Sequence, residues 1–201
     1  MNNEIAIILL AAGPSSRMGQ SKQQLIIDGK SLLVHSTENA IRSDVGKVIV
    51  VLGAEEEAHR KILKGLSVDV IFNSHWQTGM GSSLKAGLNH VVTNNPKTDA
   101  VIVMVCDQPL LTVAHINSLI QKYRKTNALL VASAYSNTIG VPALFNHKLF
   151  HEILNLTDDH GAKKIIQKHQ AQIVDFPNGT IDLDTPEDYK TFVQQQSKKM
   201  S

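Results

Sequence analysis

An apolar run, Ile5-Ala6-Ile7-Ile8-Leu9-Leu10, passes almost directly into Gly13-Pro14-Ser15-Ser16-Arg17-Met18-Gly19. The run is short enough for a buried strand and far too short to span a membrane, and the segment after it cannot continue a strand. Glycines let the backbone turn sharply and approach a ligand closely, so that successive N–H groups point into one concavity. Arg17 and Lys22 set positive charge beside that concavity, and the hydroxyls of Ser15 and Ser16 add donors. A strand feeding such a loop suits the phosphates of a nucleotide. An ordinary strand-to-helix turn with a solvated basic pair suits the same residues equally well. The loop is not a Walker A motif, because five residues separate Gly13 from Gly19 and Gln20 stands where lysine belongs. Nor is it GxGxxG.

Further strands are expected at Lys47 to Leu52, Val68 to Phe72, Asp99 to Cys106 and Leu129 to Ser133. Helical patterns lie between and around them: Ser31 to Ile41, a charged and exposed Glu55 to Lys64, Ser82 to Val92, and Val113 to Tyr123 with Ile116, Leu119 and Ile120 on one side. This alternation predicts an α/β fold with a mostly parallel, Rossmann-like sheet covered by helices on both faces. The last third is less regular. Gly140 to Phe145 reads as a strand out of order, with helices near His147 to Asn155 and Gly161 to His169. Gln172 to Phe176 reads as a last strand, and Pro186 to Gln196 as a closing helix with proline in its first turn. This part is expected to form a small C-terminal flap over the sheet, where a second substrate lies.

At 201 residues, 42% hydrophobic and 19% charged, the chain suits one domain with a substantial core. Its expected parts are nucleotide-binding over about 1–110, acceptor-binding over about 111–185, and a closing helix at 186–196. Lysines and arginines are scattered, with no basic run longer than Lys198-Lys199, which disfavours nucleic acid. One cysteine excludes an intramolecular disulfide and a cysteine zinc site. Met-Asn-Asn-Glu places no basic region ahead of the apolar run, so no secretory signal is read. A reducing cytoplasm, without a membrane partner, is the simplest compartment.

Three further constellations carry polar chemistry. Asp107 follows the Val101 to Cys106 run, and Gln108-Pro109 then breaks the strand. Ligands of open parallel sheets bind beyond the carboxyl ends of the strands. A carboxylate there, beside a phosphate loop, suits magnesium, which takes few carboxylates and keeps waters and phosphate oxygens. The competing role is a cap for the helix entered near Thr112, or a brace for the Pro109 turn. In Ile181-Asp182-Leu183-Asp184-Thr185-Pro186-Glu187-Asp188, alternation places Asp182 and Asp184 on one side, facing one ion. Asp184 or Thr185 also suits a helix N-cap, and Glu187 and Asp188 complement the helix dipole. In Asn73 to Leu84, Gly79 and Gly81 permit a tight turn, and Ser82 or Ser83 suits a cap whose helix start offers free N–H groups. Trp76 is expected to pack a core edge rather than a base.

Taken in order, LAAGxSxRMGxxK, GMxxSL, DQP, GxP, the DxGA segment and DxDTPED resemble the signature of the MobA-like nucleotidyltransferases that activate molybdopterin. The string is closest to the molybdenum cofactor cytidylyltransferases. Members reading LAAG, as Leu10, Ala11, Ala12 and Gly13 do, tend to use pyrimidine nucleotides, and the guanylyltransferase branch usually reads LAGG. The resemblance implies that the loop through Ser15, Ser16, Arg17, Met18 and Gly19 wraps a triphosphate. It implies that Arg17 and Lys22 bind phosphates, and that Gly79, Met80, Ser82 and Ser83 contact base and ribose. Asp107 and Asp182 would hold Mg²⁺ (or Mn²⁺), with Asp184 in reserve. Two acceptor motifs are imperfect. Gly140-Val141-Pro142 has valine for the family's histidine, and Asp158-Asp159-His160-Gly161-Ala162-Lys163 has aspartate for a glycine and lysine for an arginine. Lys163 keeps the charge without arginine's bidentate fork. Gly140, Pro142, Asp159, Gly161 and Lys163 are the acceptor residues so implied.

The implied reaction transfers CMP from CTP to a molybdopterin-type acceptor with loss of pyrophosphate. Arg17, Lys22 and Asp107 are its catalytic residues, and a molybdenum hydroxylase is a candidate docking partner. The competing readings are a guanylyltransferase or other NTP transferase, an NAD(P)H oxidoreductase related to the family, and a non-catalytic carrier of the finished cofactor. His147 and His151, at helical spacing, lack a partner that would complete a zinc set. Cys106 reads as a small buried hydrophobe. Ser15 and Ser16 have no histidine partner for a hydrolytic triad.

Overall fold

The computed structural model describes residues 4–199; the first three of the residues from which the absence of a signal was read lie outside this range. Among the described residues nine strands are formed: β1 (Glu4–Ala11), β2 (Ile26–Ile27), β3 (Lys30–Ser31), β4 (Lys47–Leu52), β5 (Asp69–Phe72), β6 (Thr98–Val105), β7 (Leu130–Tyr135), β8 (Thr138–Asn146) and β9 (Gln172–Asp175). Seven α-helices accompany them: α1 (Leu32–Ile41), α2 (Glu56–Ile62), α3 (Met80–Asn94), α4 (Val113–Thr126), α5 (Phe150–Leu154), α6 (Lys163–Lys168) and α7 (Pro186–Lys199). Among the described residues no helix is long and apolar enough to cross a membrane.

Seven strands form one sheet in the order β5-β4-β1-β6-β8-β7-β9, and β2 and β3 make a separate antiparallel pair. β1 is buried along its length after Glu4 because both faces are covered. Ile7 and Leu9 point into the layer with α1, α4 and α7, and Ile8 into the layer with α3, α5 and α6. Fully burying each of these side chains contributes about 1.5–3 kcal/mol relative to exposure. The strand is therefore anchored from both sides before the loop begins.

β1 pairs in parallel with β4 on one side and β6 on the other. The chain winds outward through β4 and β5, then returns across β1 to β6. The order thus reverses between β1 and β6, and a crevice opens there beyond the strand ends. Ala11-Ala12-Gly13 leaves one lip and Asp107 the other.

β8 is the strand read out of order. It runs antiparallel to both β6 and β7 and lies between them. β9 returns parallel to β7 at the edge. The C-terminal third therefore completes the sheet instead of lying wholly above it, while the connections from α5 to α6 and from β9 to α7 reach the strand ends. Three helices extend past the expected bounds: α3 begins at Met80, α4 runs to Thr126 and α7 to Lys199. Thr112 caps α4, accepting from His115 N at 3.2 Å, which leaves Asp107 free of that role. Thr185 and Asp188 make a reciprocal cap before α7, with Asp188 Oδ2 accepting from Thr185 N at 2.8 Å and Thr185 Oγ1 from Asp188 N at 3.2 Å. Asp184 is likewise released from capping.

Candidate active site

The loop after β1 is folded around Gln23, which is 1% exposed. Its Nε2 donates to the carbonyls of Ala11 (3.2 Å) and Gly13 (3.0 Å), and its Oε1 accepts from the hydroxyls of Ser15 (3.0 Å) and Ser21 (2.9 Å). Ser15, at φ 53°, also accepts from Lys22 N at 3.0 Å. Ser21 in turn meets buried His59 Nε2 at 2.7 Å, so α2 is not wholly exposed. Burial, opposed by Glu55 and the Ala54 carbonyl, lowers the His59 pKa. The loop's own side chains thus close its interior. Ser15 faces the loop, Met18 is buried in the core, and Ser16 and Arg17 reach solvent. Gly19, at φ +68°, borders a different groove with Tyr189.

Lys22 leaves this scaffold and points at the acidic lip. Its Nζ donates to Asp107 Oδ2 at 2.6 Å and Asp184 Oδ1 at 3.1 Å, and Arg17 donates to Asp184 Oδ2 at 2.9 Å. Burial opposes the Lys22 charge, but the pull of Asp107 and Asp184 outweighs it and raises its pKa. Leu183 N donates to the Asp107 carbonyl at 3.1 Å, and fully buried Leu183 points away from Asp182 and Asp184. This tie brings the two acidic segments together. Partial burial, then the charges of Asp107 and Asp184, push Asp182 up to about 6, with Lys22 acting against them. Asp182 nonetheless keeps solvent access.

The three carboxylates offer hard oxygen donors with more negative charge than Lys22 alone balances, and a cation already sits between Asp107 and Asp184. Among the described residues no trio of histidine, cysteine or acidic side chains is set to hold a metal by itself. The arrangement therefore fits an ion that takes one or two carboxylates and completes its shell from water and phosphate, as magnesium does.

A cavity of about 270 Å³ opens above β1 and β6, lined by Leu10 to Pro14, Lys22, Gln23, Trp76, Gly79, Met80, Ser83 and Val105 to Asp107. Trp76 is thus a wall of this cavity, packed on Gly53: a Cβ there would lie 2.7 Å from the indole and 2.5 Å from the Ala12 carbonyl. The helix cap expected at Ser82 or Ser83 is not formed. Gly79 is the cap, at φ 131°. Ser82 and Ser83 turn inward to accept from Asn73 Nδ2 at 2.8 and 3.0 Å, and only Ser83 reaches the cavity wall. Gly79 and Gly81 serve close packing, since a Cβ on either would strike the backbone of the Thr157–His160 loop. Asp158, the aspartate standing at the family's glycine, pairs with Lys85 and accepts from Thr78 Oγ1 at 3.0 Å. That departure fastens the Thr157–His160 loop to α3.

A second cavity of about 430 Å³ adjoins the first and shares Leu10, Met80 and Val105 with it. Gly140, Val141, Asp159, Gly161 and Lys163 line it, with an apolar floor that includes Val103 and Ile166. Pro142 is not on its surface. It is buried, and its carbonyl accepts from Ser133 Oγ at 2.6 Å. Tyr135 also lines this cavity, and sequence reasoning missed it together with Gln23 and Gln108. Gln23 was legible only as the residue after Lys22; nothing local marks Tyr135. Cys106 is buried, which pushes its thiol up to about 12. His147 and His151 are exposed.

A model of the MobA-like NTP transferase domain matches residues 7–173. The chain is 27% identical over 193 residues to the purine catabolism protein PucB of Bacillus subtilis strain 168, covering 90% of this chain and 92% of that protein. It is 26% identical over 195 residues to the nicotine blue oxidoreductase of Paenarthrobacter nicotinovorans, covering 93% and 92%. It is 27% identical over 190 residues to the molybdenum cofactor cytidylyltransferase of Escherichia coli strain K12, covering 93% and 94%. Among solved structures, Rv0371c of Mycobacterium tuberculosis H37Rv in complex with manganese superposes with a TM-score of 0.81 at 23% identity, covering 96% of this chain and 99% of that one.

Proposed function

The chain belongs to the MobA-like NTP transferase family, and from that premise we propose that this nucleotidyltransferase moves CMP from CTP to the phosphate of a molybdopterin-type acceptor. The observation that carries the reading is Lys22, whose ammonium joins Asp107 and Asp184 beside the cavity built by Leu10 to Pro14. A triphosphate in that cavity meets Lys22, the backbone of Ala12 and Gly13, and Arg17 swinging from Asp184. The acceptor reaches it through the adjoining cavity.

An acceptor phosphate oxygen forms a bond to the α-phosphorus while the α–β bridging P–O bond breaks, and the electron pair leaves with pyrophosphate. The attacking phosphate is already ionised, so no strong base is required. This chain's residues contribute in-line positioning and charge neutralisation. Arg17 and Lys22 stabilise the departing charge, and Gln23 holds the loop against it. Asp107 and Asp182, with Asp184 in reserve, would bind Mg²⁺ (or Mn²⁺), which neutralises phosphate charge and orients the α-phosphate when bound.

Ala12 at the cavity wall supports CTP over GTP, since members that resemble this chain in reading LAAG tend to use pyrimidine nucleotides. Docking to a molybdenum hydroxylase, for direct delivery of the product, belongs to the same reading. The test is pyrophosphate release with molybdopterin and Mg²⁺ under CTP and GTP in turn. Asp107→Asn should abolish it. Unchanged release in Asp107→Asn removes the assigned role, and a spectral change of NAD(P)H on reaction would favour oxidoreductase chemistry.

A further inference from the structure

Tyr135 ends β7, immediately before the Ser136-Asn137 turn in which both residues have positive φ. Its ring is fixed by built features. Phe176 meets it edge-on with centroids 6.2 Å apart, and Phe176 itself stacks on His115 at 4.4 Å. Gly179 leaves room for the ring, since a Cβ there would lie 2.6 Å from Tyr135 Cδ1. Gly140, the glycine of GxP, leaves room for the hydroxyl, which a Cβ would strike. Two glycines from separate segments are thus shaped to one phenol.

That phenol stands where the acceptor cavity approaches the acidic lip. It lines the cavity beside Gly140 and Val141. Burial and the charges of Asp182 and Asp107 raise its pKa, against a smaller opposite effect of the Gln108 amide, so it stays a neutral donor. Gln108 is 4% exposed; its Nε2 donates to Val141 O (3.2 Å) and Gly179 O (3.4 Å), which orients the amide, and its Oε1 has no partner at hydrogen-bonding distance. The Gln108 amide also hydrogen-bonds the Tyr135 hydroxyl and so helps to aim it. An oriented phenol therefore stands on the wall of a cavity whose lining also carries Thr138, Asp159 and Lys163.

We propose that the Tyr135 hydroxyl donates a hydrogen bond to the phosphate of the acceptor and positions its attacking oxygen beside Asp107 and Asp182. The proposal rests on the nucleotidyl-transfer reading and adds a residue to it. Tyr135 is absent from the wall of the nucleotide cavity, so its effect falls on the acceptor alone.

The test is Tyr135→Phe, which keeps the ring against Phe176. With CTP, Mg²⁺ and molybdopterin, kcat/KM for molybdopterin should fall about 10- to 100-fold, with CTP affinity by calorimetry within twofold of wild type. Gly140→Ala should show a similar loss by displacing the hydroxyl, whereas the double variant should be no worse than Tyr135→Phe. A kcat/KM within twofold of wild type, or an equal loss of CTP affinity, overturns the proposal. Phenyl phosphate serves as a second probe, titrated into the protein with CTP and Mg²⁺. Tyr135→Phe should weaken its binding about tenfold, and equal binding by both proteins overturns the proposal. Should wild type leave molybdopterin untouched, the acceptor reading fails by itself and the phenyl phosphate measurement still decides Tyr135.

Discussion

The Nζ of Lys22 lies 2.6 Å from Oδ2 of Asp107 across 85 residues of sequence, and the same nitrogen holds Asp184 at 3.1 Å. One ammonium thus joins the loop after β1, the end of β6 and the segment before α7. Replacing it removes the proposed phosphate contact and leaves the carboxylates to repel one another. Lys22→Met should lower CTP-dependent pyrophosphate release by about 100-fold or more. Because Lys22 pulls the Asp182 pKa down from where burial and its neighbours push it, the acid limb of the pH–activity profile should move to higher pH. A limb that stays in place separates Lys22 from Asp182.

Gln23 makes four hydrogen bonds from a buried amide. Gln23→Leu keeps much of the volume but strands two carbonyls and two hydroxyls. The expected cost is about 2–4 kcal/mol in a denaturant titration, with CTP binding at least tenfold weaker by calorimetry. Unchanged CTP affinity would mean that the loop holds its shape without the amide.

Gly81→Ala places a Cβ 2.6 Å from Thr157 O and 2.8 Å from Asp158 O. Backbone carbonyls have little room to yield, so the loop that carries Asp159 should move. A stability loss of about 1–3 kcal/mol and a rise in acceptor KM are expected. Gly13→Ala provides the comparison, since nothing lies within 4 Å of its Cβ. Equal thermal shifts in the two variants would refute the packing argument.

His115 is buried against Phe176, and Ser133, which donates to Pro142 O, accepts from His115 Nε2 at 2.8 Å. Burial lowers its pKa from 6.5 to about 4. The unfolded chain therefore takes a proton near pH 6.5 that the folded chain refuses until about pH 4. Stability is full above 6.5 and declines as pH falls through that window, by about 3 kcal/mol from this group. Thermal melts of wild type should show this decline, and His115→Phe should flatten it. Identical slopes would assign the acid sensitivity elsewhere.

Much of the frame was legible in the chain itself. The apolar run of β1 is buried on both faces because its residues leave no polar side to expose, and the same logic located β4 to the residue. Gly13 to Lys22 and Asp107 were visible as local breaks in periodicity, and the Asp182–Asp184 pair as an alternation. β8 was visible as a strand, but its direction depends on which neighbours have free edges, and no local pattern records that.

Sequence alone therefore determined the strand-and-helix alternation, the loop after β1 and the residue types available for phosphate and metal chemistry, because these follow from hydrophobic period and backbone permissiveness. Tertiary structure alone decided which side chains meet. It turned Ser82 to Asn73, sank Met18 and Pro142, made Trp76 a cavity wall, and brought Tyr135 against Gly140 and Gly179. Such contacts depend on the reversal of strand order between β1 and β6 and on carbonyl-to-Cβ distances across the sheet, which are properties of packing in space and leave no periodic trace along the chain.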